Sequence, residues 1–120
     1  MAKKKFYSLC RYFDNATDAD TKIGYLPREG YDVPNSFGFD LAVYRAKNEE
    51  PFKDTNIWYV VDTRTGLSVA QGRTKNEVIE NALTRLEKLD MAKYNEKVTQ
   101  MTNEYGPCPG HRISYNLINT

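Results

Sequence analysis

The chain has 120 residues, 40% hydrophobic and 12% aromatic, enough for one domain with its own core, and this excludes a wholly disordered polypeptide. With 17 basic and 16 acidic residues the net charge is +1, so the composition demands neither a polyanionic partner nor an anionic membrane. No apolar run approaches the roughly 20 residues of a membrane span, and no apolar secretory core follows Met1-Ala2-Lys3-Lys4-Lys5, so a cytoplasmic protein with a solvated lysine tail over residues 1–4 is expected.

Phe6 to Phe13 is rich in aromatic residues and reads as a first strand. Asp14 to Asp20 is a polar turn. Its three aspartates invite a calcium reading, but Ala16 interrupts the ligand run and the glycine and distal glutamate of a calcium loop are absent. Residues 23–38 contain Gly24, Pro27, Gly30, Pro34 and Gly38 and therefore read as irregular. The same stretch holds Tyr25, Leu26, Tyr31, Val33 and Phe37, which either pack as a lid over a sheet or present an aromatic contact surface. Phe39 to Tyr44 alternates as a strand, with Phe39, Leu41 and Val43 inward and Asp40 and Tyr44 outward.

Trp58-Tyr59-Val60-Val61 is apolar on both alternating sets, the pattern of a central strand buried on both faces. Asp62 to Gly66 is a short hairpin turn with Gly66 expected at positive φ, and Leu67 to Gln71 returns as the partner strand. Thr74-Lys75-Asn76-Glu77 has the form of a capping box, and Val78, Ile79, Ala82, Leu83, Leu86 and Leu89 follow at helical spacing. A second stripe, Met91, Tyr94, Val98, Met101 and Tyr105, is displaced from the first by roughly 130° on a straight helix. Either the chain bends near Asp90 to give two helices, or the second stripe faces a partner, a second copy of this chain included. Tyr105-Gly106-Pro107 ends the helical region, and Ile113 to Leu117 alternates as a final strand.

Few residues suggest chemistry. Cys108 and the sole histidine, His111, form half of a zinc-type pair, which Cys10 and an aspartate could complete; a structural zinc site normally shows two such pairs. Cys108 with His111 lacks the local context of a nucleophile and base, and Glu49-Glu50 and Asp18/Asp20 read as surface carboxylates. There is no glycine-rich phosphate loop. No catalytic residue, cofactor or metal ligand is therefore assigned, and free thiols are expected.

Three strands followed by a helix that begins after Gly72-Arg73-Thr74-Lys75 resemble the second half of a double-stranded-RNA-binding domain. Lys75 and Ala82 match that family; Asn76, Val78, Ile79 and Leu83 depart from it, and its first helix has no counterpart here. The same segment, with Gly72, Thr74, Glu77, Asn81, Ala82 and Leu86, is similar to the core of HicB-type antitoxins, though their Pro-x-Leu-Pro-Gly feature is missing. With those departures the family's lysine-to-phosphate contacts would be mostly lost; a nucleic-acid-binding alternative would use Arg64, Arg73 and Lys75, near the hairpin and the helix start.

The expected fold is α+β: a mainly antiparallel sheet of four or five strands with one or two helices on one face, in a single domain. The expected function is stoichiometric binding of another protein, without catalysis, by a soluble module of the kind found among phage-encoded inhibitors such as anti-CRISPR proteins and among antitoxins. Tyr25, Tyr31, Phe37, Tyr94, Met101 and Tyr105 are the expected contact residues, because aromatic side chains give large contact area at low entropic cost. Nucleic-acid binding and a small zinc protein are the alternatives.

Overall fold

A computed structural model describes residues 2–13, 21–46 and 57–109. Five strands form one antiparallel sheet in the order of the chain: β1 (Lys3–Phe13), β2 (Thr21–Val33), β3 (Leu41–Ala46), β4 (Ile57–Asp62) and β5 (Leu67–Gly72). Two helices follow, α1 (Lys75–Glu87) and α2 (Met91–Tyr105). The α+β class, the antiparallel sheet and the helix count agree with the sequence. The final strand expected at 113–117, the aspartates of 14–20, Glu49, Glu50 and His111 lie outside the described residues. No helix among those described is long and apolar enough to cross a membrane.

β4 lies between β3 and β5 and is buried on both sides, as its two apolar sets require. Val60 joins one cluster with Val33, Leu41, Val43, Ala70, Val78, Ala82 and Leu86. Val61 joins the other, with Phe6, Ala42, Tyr44 and Ala46. α1 covers the first face with Val78, Ala82 and Leu86, one residue per turn. Val78 and Leu86, so buried, each stabilise the fold by about 1.5–3 kcal/mol, and the single methyl of Ala82 by less. In β5, Val69 is an extra residue opposite the Val60–Val61 step, a bulge that brings Ala70 into the α1 cluster.

Three expectations are corrected. Residues 23–33 are not an irregular lid but most of β2; only 34–40 are irregular. The strand tolerates Pro27 because there β2 pairs with β1 alone, so only one flank has a ladder to lose; β2 meets β3 only at Tyr31–Val33. Tyr44 points inward, into the second cluster, because that face is covered too. The lysine run is no tail: it opens β1, and the Lys4 amine is held between Asp32, at 3.0 Å, and Asp40.

The cover of the second face comes from β1 and β2. Gly30 lies so close to β3 that a Cβ there would stand 2.1 Å from the Val43 carbonyl oxygen. Beyond this close approach the β1–β2 pair parts from β3 and curls over the second cluster. It reaches the far end of the sheet, where the Leu9 N–H donates to the Gly66 carbonyl at 2.8 Å. Inside the curl, Phe6 meets Tyr44 edge-on, Tyr59 stacks on Tyr44, and the Arg28 guanidinium lies 5.0 Å from the Tyr44 ring centre. Arg28 Nε and the Tyr44 hydroxyl both donate to Ser8 Oγ, which satisfies a buried hydroxyl.

Candidate functional site

The two helices are separate because α1 is stopped and α2 is started by local chemistry. Lys88 N–H turns back to the carbonyls of Arg85 and Leu86, tightening the last turn. Leu89 folds into the α1 cluster, and Asp90 takes an extended conformation. Asp90 Oδ1 then accepts from the N–H groups of Ala92, at 3.0 Å, and Lys93, at 3.3 Å, an N-cap that begins α2 in a new direction. The bend expected at Asp90 is therefore present.

This bend opens a groove of about 510 Å³ between the C-terminal half of α1, the N-terminal half of α2 and the first residues of β5. Its floor is apolar: Leu67, Val69, Leu86 and Leu89, with the ring of Tyr94 at one side. Its rim carries Arg85, Lys88, Lys93 and Lys97, all exposed. The one carboxylate in the lining, Asp90, is already engaged by the two backbone N–H groups of its cap. The ion pairs described in the structure engage Lys4, Lys5 and Arg64 and none of these four cations.

A second concavity of about 450 Å³, beside Lys3, Lys4, Lys5, Glu29 and Tyr31, is different in kind. There Lys4 is compensated by Asp32 and Asp40, and Lys5 lies 3.8 Å from Glu29. Burial lowers the Lys4 ammonium's proton affinity, but its hydrogen bonds to Asp40 and Asp32 outweigh this and leave its pKa above the usual 10.5. Among the described residues the ion pairs thus engage Lys4 and Lys5 here and none of the four cations at the groove.

The sequence-derived contact residues are dispersed. Tyr94 is half-buried and donates its hydroxyl proton to Asp62 Oδ2 at 2.7 Å, with Thr65 Oγ1 at 3.2 Å and the Phe39 ring edge-on. Burial first, and the Asp62 charge second, raise its pKa far above the usual 10. Tyr25 donates to the Gly106 carbonyl at 2.8 Å and packs against Gly66; burial raises its pKa as well. Tyr105 and Met101 are half-buried. Tyr31 packs at the margin of the α1 cluster, with the Lys75 amine 4.4 Å above its ring centre. Phe37 is exposed in the 34–40 loop.

Arg64 sits in the turn between β4 and β5. Its guanidinium stacks over Phe39, and its Nε lies 3.6 Å from the fully buried Asp62 carboxylate. Arg73 and Lys75 lie at the other end of β5, so the three cations assigned to nucleic acid form no single patch. Cys10 accepts from Arg28, and Cys108 is buried against the Thr63 carbonyl; both are thiols. Among the described residues no three His, Cys, Asp or Glu side chains are grouped as metal ligands.

Sequence reasoning missed the groove. Arg85, Lys88, Lys93 and Lys97 lie outside both apolar stripes, the pattern of solvated helix surface. They face a common space only because the chain turns at Asp90; their i, i+3 and i, i+4 spacings on either side of that residue were the available signal. No protein family, no curated protein and no solved structure matches this chain, so the groove's geometry and charge are what a functional reading has to work from.

Proposed function

We propose that this protein is a non-enzymatic binding module that holds another protein stoichiometrically through the groove between α1, α2 and β5. One observation carries the reading: an apolar floor, part-exposed at Val69 and Leu89, surrounded by four cations that none of the ion pairs among the described residues engages. Contiguous apolar surface rimmed by polar groups marks interaction sites. Tyr94 and Tyr25 are spent on internal hydrogen bonds, which fix α2 and so hold the groove open.

Lys93→Glu with Lys97→Glu tests this reading. Both side chains are exposed, so the double variant should keep the melting temperature of the parent protein. Affinity capture from the source cell should recover a partner in near-equal amount with the parent and lose it with the variant. Recovery of the same partner by both would overturn the groove as the binding site.

A further inference from the structure

We infer that the occupant of the groove is an acidic amphipathic helix, a segment of the partner with apolar residues on one face and carboxylates along its flanks. This rests on reading the groove as the partner site, and it adds the chemistry and the docking mode.

The docking mode follows from the β5 edge that borders the groove. An exposed sheet edge can recruit a strand through its unpaired backbone groups. Here α1 occupies that edge: Arg85 Nη1 donates to the Val69 carbonyl at 3.2 Å, and Asn81 Nδ2 to the Gln71 carbonyl at 3.4 Å. An added strand would have to displace both. A helix needs only side-chain contact, and a groove between two helices is where an amphipathic helix lays its apolar stripe. At about 510 Å³ the groove has room for several aliphatic anchors of such a stripe.

The sign of the occupant follows from the rim. The whole chain is almost neutral, at +1, so the four cations are a local concentration rather than a general excess. Arg85 and Lys88 stand on one wall and Lys93 and Lys97 on the other, so carboxylates on both flanks of one inserted helix would meet them. A nucleic acid would also supply negative charge. It would find aliphatic side chains on the floor, however, and the one aromatic ring there, Tyr94, is held edge-on to Phe39 and bonded to Asp62 rather than offered for base stacking.

The probe is a synthetic peptide of about twenty residues, long enough to be helical, with Leu at i, i+3, i+4 and i+7 and Glu at most other positions. Its companions are the same peptide with every Glu replaced by Lys, a version with scrambled Leu positions, and a double-stranded RNA oligonucleotide. Binding is followed by amide shifts of the full-length isotope-labelled protein. The acidic peptide should perturb Leu67, Val69, Leu89, Lys93 and Lys97, and its binding should weaken as salt rises. The Lys peptide, the scrambled peptide and the Lys93→Glu/Lys97→Glu variant should each bind at least about tenfold more weakly, the loss of roughly 1.4 kcal/mol that a few exposed ion pairs or misplaced anchors supply. Lys3→Glu with Lys5→Glu, on β1 and outside the groove lining, should change binding less than about twofold, by the weakness of exposed charge that makes no contact with the occupant.

Equal binding of the Lys and Glu peptides, perturbation elsewhere, no binding, or tighter binding of the RNA at the groove would each overturn the acidic helix. If the peptide fails while Lys93→Glu/Lys97→Glu still abolishes partner capture, the groove remains the site and only its occupant has been misread. If the variant also leaves capture intact, the proposed function falls with it.

Discussion

The Tyr94 hydroxyl donates to Asp62 Oδ2 at 2.7 Å, and this bond joins α2 to the turn between β4 and β5. Asp62 is fully buried, so its carboxylate depends on the partners it has: the Tyr94 hydroxyl, the Arg64 N–H at 3.1 Å and the Arg64 guanidinium. Tyr94→Phe keeps the ring against Phe39 and removes the proton donor. A hydrogen bond to a charged group contributes about 1.5–3 kcal/mol, and denaturant unfolding of the variant should show a loss of that size. An unchanged midpoint would mean that water replaces the hydroxyl without cost.

The same residue sets the alkaline limb of stability. Tyr94 and Tyr25 have folded-state pKa values raised above the usual 10.0, and Lys4 is raised above 10.5. In each case the folded state keeps a proton that the unfolded chain releases. Their stabilisation is therefore complete below about pH 10 and declines as pH rises through the folded values. Unfolding free energy should fall between about pH 10 and 12, and less steeply in Tyr94→Phe. Equal slopes in the two proteins would show that the Tyr94 proton is not linked to folding.

Gly66 has φ +77°, and a side chain there would also meet the Tyr25 ring at 2.9 Å and the Leu9 nitrogen at 3.3 Å. Gly66→Val should therefore cost more than the roughly 1 kcal/mol of backbone strain alone. A thermal melt reads the sum. Gly66→Ala separates the parts, since it keeps the strain and the first contact but omits the branched methyl groups.

Leu86 is buried beneath α1 and also floors the groove. Leu86→Ala should lower stability by about 2–5 kcal/mol, the range for a deleted core leucine, and chemical denaturation measures it. A cost near zero would place Leu86 on a solvent face.

What the sequence made legible was local. The hairpin turn, the Thr74 cap with Glu77 N–H on Thr74 Oγ1 at 3.1 Å, and the Asp90 break each depend on residues a few positions apart. β2 was missed because Gly24, Pro27 and Gly30 argue against a strand that is paired on both sides, whereas most of β2 is paired on one. Tyr44 was misplaced because alternation tells that two faces differ, not that a curled hairpin covers the second. Residue type alone does not distinguish exposure like that of Phe37 from a hydroxyl committed inward, as in Tyr25 and Tyr94. The groove stayed hidden because its cations belong to two helices that meet at the Asp90 cap and are oriented by distant contacts such as Tyr94 to Asp62.

The hydrogen bond from Leu9 to Gly66 also orders events in time. β4, β5 and α1 are consecutive in the chain and can assemble from short-range contacts. Leu9 must close a long loop to reach the turn they form, and such closure is rewarded only once the turn exists. β1 precedes that turn in the chain, so its contact with Gly66 can form only after the turn has been synthesised. The pairing of β1 with β2 does not wait for it, but closure of that pair over the end of the sheet does.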